Sequence, residues 1–159
     1  MIEVKERREN ILSSSMEDYL ECILVLKETK GIVRVCDLSQ LMNVKTSSTT
    51  SALRFLSENG YVVHERYGDV QLTGQGKRQA KFIYKRHKTL IRFINEILGV
   101  DKKNASQDAC KIEHAIGSHT FEKLSKFLKF IDEGRHAKWL SDFRQYCKNN
   151  QSFKRRTRG

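Results

Sequence analysis

Hydrophobic positions near the start of the chain recur with the spacing of an α-helix. A first helix is predicted to begin at Ser14 or Ser15, because Ser14 and Glu17 have the spacing of a capping box. Gly31 is predicted to end it. Its apolar positions are Tyr19, Leu20, Ile23, Leu24 and Leu26. The charged residues 1–13 before it are expected to form a loosely held arm.

Two further helices are predicted in close succession. Residues 34–42 form a short helix, and its inward-facing positions are Val35, Leu38 and Leu41. A turn over residues 43–44 leads to a third helix over Lys45–Glu58, which ends at Asn59-Gly60. The buried positions of the third helix are Thr49, Ala52, Leu53 and Leu56.

The hydrophobic period changes from helical to two after Gly60, which predicts a β-hairpin. Residues 61–65 form one strand and residues 70–72 its return, with Gly68 in the turn between them. This order of elements indicates a winged helix-turn-helix: a helix, a short helix, a turn, a helix and a hairpin.

The remainder of the chain is predicted to be helical. Thr73 caps a long helix from about Gln75 to Leu98, and three more helices follow near 103–116, near 119–131 and over Ala137–Tyr146. The fold class is therefore mainly α. The predicted domains are the arm at 1–13, a winged helix-turn-helix DNA-binding domain at 14–73, a helical metal-binding and dimerisation domain at 74–146, and a basic tail at 147–159.

Composition narrows the function classes. The 159 residues include 30 Lys plus Arg and 19 Asp plus Glu, a net charge of +11, which favours a polyanion such as nucleic acid as partner. No apolar run approaches the roughly 20 residues of a membrane span, and the charged N-terminus is not a secretory signal. Four cysteines without a Cys-x-x-Cys pair favour free thiols in a reducing cytoplasm.

The third helix and the hairpin carry the candidate DNA contacts. Small hydroxyl side chains allow a helix to approach base edges and phosphates closely, and an arginine reaches guanine or phosphate. The candidates are Lys45, Ser47, Ser48, Thr50, Ser51, Arg54, Arg66 and Tyr67. The alternative is that these are solvated surface residues. The basic runs at 77–92 and 148–158 likewise allow either counterion release from DNA or a solvated surface.

Three separated stretches carry candidate metal ligands. Asp18 and Glu21 are spaced i, i+3 on the first helix, and His87 lies in the long helix. The third stretch is Cys110, Glu113 and His114, whose i, i+3, i+4 spacing places thiol, carboxylate and imidazole on one helical face. Each residue alone has a simpler interpretation. Asp18 suits a helix N-terminus, Glu21 is simply exposed, His87 is a hydrogen-bonded core residue, and Cys110 is a small apolar residue.

The chain also resembles the diphtheria-toxin-repressor family of metal-dependent regulators, most closely its manganese-transport-regulator branch. The resemblance rests on SMEDYLECI, the helix-turn-helix at 33–60, LTGQGK, KRH at 85–87, GVD at 99–101 and CKIEHAIG at 110–117. It implies a homodimer that binds a double-stranded DNA operator when a divalent ion is bound. It also implies that the metal ligands are Asp18, Glu21, His87, Cys110, Glu113 and His114.

The ligand set mixes two branches of that family. The resemblance implies a glutamate at position 110 for the manganese branch, and a cysteine there with methionine at position 18 for the iron branch. Asp18 is a hard ligand suited to Mn²⁺, whereas Cys110 is a softer one suited to Fe²⁺, Co²⁺ or Zn²⁺. Ser106 and Ile91 occupy the histidine and glutamate positions of the iron branch's ancillary site. One or two ions per subunit stay open.

The predicted function is a metal-dependent transcriptional repressor that controls manganese or iron homeostasis, with Mn²⁺ or Fe²⁺ as the metal and Co²⁺ or Zn²⁺ as substitutes in vitro. The alternative is a metal-independent winged-helix regulator. An enzyme is not expected, because the sequence shows neither a nucleophile motif nor a glycine-rich phosphate loop. No membrane association is expected.

Overall fold

The structure, a computed structural model, describes residues 12–64, 68–134 and 137–156, except for the side chains of 137 and 150–156. The described elements are α1 (Ser14–Lys30), α2 (Val35–Leu41), α3 (Thr46–Glu58), β1 (Val62–His64), β2 (Val70–Leu72), α4 (Gly74–Arg92), a π-helical turn (Phe93–Ile97), α5 (Lys102–Glu113), α6 (Ser118–Asp132) and α7 (Ala137–Arg156). The mainly helical prediction is confirmed. The chain divides into two compact units, residues 1–84 and 85–159.

Helix α1 begins at Ser14 as predicted, but the predicted capping box is wrong. The N-cap residue is Ser13, whose hydroxyl accepts a hydrogen bond from the amide of Met16 at 3.3 Å. Glu17 therefore lies one residue beyond the position from which a capping-box carboxylate reaches back. Gly31 ends the helix at φ 78°, as predicted. In the predicted arm at 1–13, Leu12 is buried in the core and Ser13 is the N-cap of α1. Residues 1–11 lie outside the described residues.

The helix-turn-helix is formed by α2, a tight turn and α3. Asn43 allows the turn by adopting a positive φ of 53°, which asparagine tolerates better than most residues. The predicted buried set of α3 is confirmed at all four positions. Leu41 is not buried but 53 % exposed, because it is the last residue of α2 and the following Met42 packs against the core instead.

The hairpin pairs β1 with β2 in antiparallel register, with Val63 opposite Gln71. An amide of β2, that of Val70, donates to the carbonyl of Val33 at 2.8 Å and ties the hairpin to the loop before α2. Helix α4 starts against the hairpin at Gly76, where a Cβ atom would lie 1.8 Å from the carbonyl oxygen of Tyr61. Only glycine allows this approach.

One apolar core joins the elements of the first unit. It is built from buried residues of α1, α2, α3, the hairpin and the first half of α4. Thr49 is fully buried within it, and its hydroxyl lies 3.4 Å from that of Tyr19 on α1. A polar side chain is tolerated there because it has a hydrogen-bond partner.

The predicted long helix is confirmed up to Arg92, but its last part has a different hydrogen-bond pattern. Thr73 caps α4 as predicted, accepting from the amide of Gly76 at 3.0 Å. After Arg92 the chain forms the π-helical turn, in which the amide of Leu98 bonds to the carbonyl of Phe93. Periodicity did not predict this turn, since one extra residue per turn barely changes an apolar stripe.

The second unit has a small core made by the end of α4, the π-helical turn and α5. Helix α5 is capped by Asp101 and ends at Glu113, three residues earlier than predicted. Helix α6 agrees with the prediction within one residue. Helix α7 continues past the predicted end at Tyr146 to Arg156, so the first part of the predicted basic tail is helical. Among the described residues, no helix is long and apolar enough to cross a bilayer.

Candidate metal centre and DNA-reading surface

The candidate metal centre is organised around a buried carboxylate, that of Glu113. Its side chain is 1 % exposed, although it is the last residue of α5. The reason is its spacing: Ala105, Ala109 and Glu113 follow one another at intervals of four and form one buried stripe of the helix. An ionisable group placed on such a stripe requires partners, because an isolated buried charge is strongly unfavourable.

Two imidazoles provide partners for this carboxylate. On α4, His87 places its Nδ1 2.9 Å from Oε2 of Glu113. The Nε2 atom of His114 lies 3.5 Å from the other oxygen, Oε1. Both imidazoles are largely buried, with 17 % and 11 % of their side chains exposed. His87 is therefore hydrogen-bonded, as the simpler interpretation expects, but its partner is another candidate ligand.

Cys110 completes the cluster on α5. Its sulfur and single donor atoms of Glu113 and His114 all lie within 4.8 Å of one another. His114 follows the last residue of α5 but keeps helical backbone angles, φ −81° and ψ −20°, so the predicted i, i+3, i+4 arrangement survives the end of the helix. Cys110 is exposed rather than buried, contrary to its interpretation as a small apolar core residue.

Asp18 and Glu21 lie in the first unit, on α1, and both are half-buried. Because Ser13 is the N-cap residue, Asp18 lies in the second turn and not the first. A carboxylate loses most of its interaction with the helix dipole beyond the first turn. The simple interpretation of Asp18 as a helix-end charge is therefore weakened.

The donor set of the second unit fits a divalent transition metal. Imidazole, carboxylate and thiol together match Mn²⁺, Fe²⁺, Co²⁺ and Zn²⁺ better than Ca²⁺ or Mg²⁺, which prefer oxygen alone. The observation that supports the fit is the buried carboxylate between two imidazoles, an arrangement in which three donor groups point at one another. All four cysteines are described, and none is in a disulfide.

The predicted DNA contacts on α3 occupy one exposed face. Lys45 is the N-cap of α3, and the predicted contact residues on the helix are exposed. The opposite face of α3 packs against the core. The hydroxyl of Thr50 donates to the carbonyl of Thr46 at 2.9 Å, and that of Ser51 donates to the carbonyl of Ser47 at 3.1 Å. These hydroxyls therefore present oxygen lone pairs outward as acceptors. Ser48 and Arg54 are exposed, and Arg66 and Tyr67 lie outside the described residues.

A groove of about 590 Å³ borders α3, the reading helix that carries the predicted DNA contacts. No sequence pattern predicted this groove. Thr46 and Thr50 of α3 line it, together with Arg34 before α2 and His64 at the end of β1. Arg34 lies directly before α2, and the first helix of a helix-turn-helix crosses the DNA backbone. This position was the available signal. No sequence signal marked His64, since a single histidine in a strand has no distinctive spacing.

An acidic residue of the same groove is neutralised within the fold. The carboxylate of Asp69 accepts from the amide of Val33 at 2.6 Å and from the ammonium group of Lys27 at 2.9 Å. The hydrogen bond from Val33, and then Lys27, lower the pKa of Asp69 below its ordinary value. Its charge is therefore balanced, and it opposes an anion in the groove only weakly.

Two family models match the chain in succession. Residues 11–70 match the N-terminal DNA-binding domain of the iron-dependent repressors, and residues 73–138 match their metal-binding and dimerisation domain. Among curated proteins, an uncharacterized HTH-type transcriptional regulator of Methanocaldococcus jannaschii is 42 % identical over 124 residues, covering 77 % of this chain and 99 % of its own.

The HTH-type transcriptional regulator MntR of Shouchella clausii is 35 % identical over 136 residues, covering 86 % of this chain and 93 % of its own. A solved manganese-dependent transcriptional repressor in complex with manganese is 29 % identical with a TM-score of 0.67, covering 72 % of this chain. This chain spans about half the length of that protein, 53 %. The chain belongs to the iron-dependent repressor family, the diphtheria-toxin-repressor and MntR type of metal-dependent transcriptional regulator.

Proposed function

We propose that this metal-dependent regulator is a repressor activated by Mn²⁺ or Fe²⁺, acting as a homodimer on double-stranded operator DNA in the cytoplasm. The observation that carries the proposal is the buried carboxylate of Glu113 between His87 and His114. The proposed ligands are Asp18, Glu21, His87, Cys110, Glu113 and His114. A bound divalent cation would supply the positive charge that balances the carboxylates of Asp18, Glu21 and Glu113.

The two ligands on α1 connect the proposed site to DNA reading. Helix α1 packs against α2, α3 and β2 within the first unit, and its buried residues belong to the same core as those of α3. Asp18 and Glu21 are therefore attached to a rigid body that carries the reading helix. Holding these two carboxylates restricts the orientations that α3 adopts, which favours the one that matches two half-sites of an operator.

The reading surface is proposed to divide its contacts by chemistry. Thr50 and Ser51 accept hydrogen bonds from base amino groups in the major groove, because their own protons are already donated to α3 carbonyls. Arg54 reaches guanine or phosphate. Arg34 and His64, in the groove beside α3, contact phosphates of the same strand and add affinity without sequence choice.

The metal preference follows from the mixed ligand set. Asp18 offers a hard oxygen, and Cys110 offers a sulfur that prefers softer ions. This combination favours Fe²⁺ and Mn²⁺ as the physiological candidates, with Co²⁺ and Zn²⁺ able to occupy the same donors. The relatives are transcriptional regulators, and we propose no catalytic role for the site.

The test is operator binding at fixed salt, followed by fluorescence anisotropy with a duplex from the protein's own promoter. Mn²⁺, anaerobic Fe²⁺, Co²⁺ and Zn²⁺ are titrated against a chelated control. At least one metal is expected to raise DNA affinity roughly 5–150-fold, the usual range of allosteric coupling. The coupling is reciprocal, so operator DNA is expected to tighten metal binding by the same factor.

Glu113→Gln is the decisive variant, because it removes the buried charge but keeps the side-chain shape. Metal activation is expected to disappear while the dimer stays folded. Asp108→Asn is the matched control, since it makes the same charge change on the exposed face of α5. A Glu113→Gln protein that still responds fully to metal contradicts the site. Equal binding of the wild type with and without metal indicates a metal-independent regulator.

A further inference from the structure

A half-buried arginine contacts the end of α5 at the point where the candidate ligands lie. Arg86, on α4, donates through one terminal nitrogen to the carbonyl oxygen of Glu113 and, at 2.9 Å, to that of Ile116. Both contacts lie within the second unit. In the sequence, Arg86 belongs to KRH at 85–87 and to the basic run at 77–92, but neither feature predicted a contact with α5.

These two carbonyls belong to the segment that ends the helix. The last carbonyls of an α-helix have no partner within the helix and carry its partial negative charge. The amides of Ala115 and Ile116 both donate to the carbonyl of Ile112, which closes the turn after α5. Arg86 satisfies carbonyls on either side of this turn with a charge-assisted hydrogen bond. It therefore determines where residues 113–116, including His114, lie against α4.

Arg86 acts together with the residue that follows it. His87 contacts the carboxylate of Glu113 while Arg86 contacts the backbone carbonyl of that residue. Two consecutive residues of α4 thus hold Glu113 at its side chain and at its main chain. Both contacts restrict the positions that the carboxylate can adopt relative to α4.

We propose that Arg86 is a positioning residue of the metal centre, which sets the metal affinity through Glu113 and His114 without binding the metal itself. This inference rests on the proposed metal-binding function. Residues that orient metal ligands typically contribute 10–100-fold to metal affinity. The role is that of a positioning residue because the arginine contacts main-chain atoms, which leaves the donor atoms to the ion.

The sign of the effect separates positioning from electrostatics. A guanidinium group close to a cation site repels the cation, so charge alone predicts that removal of Arg86 strengthens metal binding. Positioning predicts the opposite, because the freed end of α5 must be ordered again each time a metal binds. The direction of the change in affinity therefore decides between the two.

The experiment compares Arg86→Met with Lys85→Met in the full chain. Both variants remove one positive charge from adjacent residues of α4, but Lys85 is exposed. The Mn²⁺ affinity is measured by competition with a fluorescent chelator, and unfolding and dimerisation are followed in parallel. Arg86→Met is expected to bind Mn²⁺ about 10–100-fold more weakly. Lys85→Met is expected to stay within about twofold of the wild type.

A second readout examines the protein without metal. The histidine ring resonances of His114 and His87 are recorded by NMR, and those of Arg86→Met are expected to broaden or shift where those of Lys85→Met do not. If Arg86→Met fails to fold, Arg86→Gln replaces it, since glutamine stays polar but is too short to replace both hydrogen bonds to the carbonyls of Glu113 and Ile116. At least tenfold weaker Mn²⁺ binding by this variant supports the proposal.

The inference is overturned if Arg86→Met binds metal at least as tightly as the wild type. The same criterion applies to Arg86→Gln where that variant is used. That outcome leaves the proposed function intact, because the wild type still binds metal. A wild type that binds no Mn²⁺, Fe²⁺, Co²⁺ or Zn²⁺ overturns the proposed function itself, and the inference with it. The two failures are thus distinguished by the wild-type titration alone.

Discussion

The two units of the molecule differ in the size of their apolar cores and in the burial of charge. In the described residues, the first unit buries sixteen hydrophobic side chains in one cluster, whereas the corresponding cluster of the second unit contains four. The second unit instead buries a carboxylate beside two imidazoles. Apolar burial stabilises a fold without any ligand, but a buried ionic cluster depends on what neutralises it. The DNA-reading unit is thus expected to be stable by itself, and the second unit to depend on metal.

Their surface charges show a smaller version of the same difference. In the first unit, half-buried acids pair with single lysines, as Asp37 does with Lys30 at 2.6 Å. In the second unit, Arg92 binds both Glu96 and Asp132, which raises the pKa of the arginine and lowers that of Asp132. Such a shared pairing links α4, the π-helical turn and α6. One arginine of the second unit thus joins three elements, whereas the Lys30–Asp37 pair of the first unit joins two.

The largest effect is expected from a mutation that creates a cavity in the core of the first unit. Leu53→Ala is expected to lower the free energy of unfolding by about 2–5 kcal/mol, because Leu53 is fully buried. Leu41→Ala makes the same substitution at an exposed position and is expected to stay within about 0.5 kcal/mol. Urea unfolding followed by far-ultraviolet circular dichroism measures both. Equal losses for the two variants would contradict the assignment of the core.

Metal is expected to stabilise the second unit, which contributes four of the six proposed ligands. Mn²⁺ at 100 times its dissociation constant should add about 2.7 kcal/mol. Trp139, the sole tryptophan of the chain, lies in the second unit with its ring 6.2 Å from that of Phe127, so its fluorescence reports unfolding there. Glu113→Gln should abolish this metal-induced shift in the free energy of unfolding. A metal-induced shift that persists in this variant would place the stabilising site elsewhere.

The smallest effect concerns the ion pair that supports the hairpin. Asp69→Asn is expected to cost about 1.5–3 kcal/mol near neutral pH, because it weakens charge-assisted hydrogen bonds to Val33 and Lys27. The folded protein lowers the pKa of Asp69 below 3.8, so this stabilisation is complete above that value and disappears as the pH falls through the lower one.

The measurement is the urea unfolding of wild type and Asp69→Asn at several pH values. Their difference should be constant down to about pH 5 and should shrink below about pH 4. Asp37→Asn is the control, because its ion pair with Lys30 is about as exposed as that of Asp69 with Lys27 but Asp37 does not hold the amide of Val33. A smaller change is therefore expected. A difference that grows on acidification would show that Asp69 is not stabilised as a carboxylate.

Much of this fold could be predicted from local patterns. The buried positions of α3, the start of α1 and the cap at Thr73 follow from spacing and from residues with known preferences at helix ends. Errors occurred where a neighbour decided the outcome. Leu41 has the right spacing for burial, yet Met42 takes its place, and the cap of α1 lies at Ser13 in a run of three serines.

The candidate site divides in the same way. Spacing alone brought Cys110, Glu113 and His114 to one face of α5, because helix geometry is a local property. His87 and Glu113 lie 26 residues apart in the sequence, so their contact depends on how α4 packs against α5. Arg86 was missed for this reason, since its partners are backbone carbonyls, which every residue carries and no sequence pattern marks.

The sequence by itself determined the helical periods, the winged helix-turn-helix order, the excess of positive charge and the types of ligand atom available. These properties depend on residue identity and on spacing along the chain. Only the tertiary structure decided that Glu113 is buried between two imidazoles, and that Arg34 and His64 border the reading helix. Burial and pairing depend on which distant segments meet, and that is determined by the packing of the whole unit.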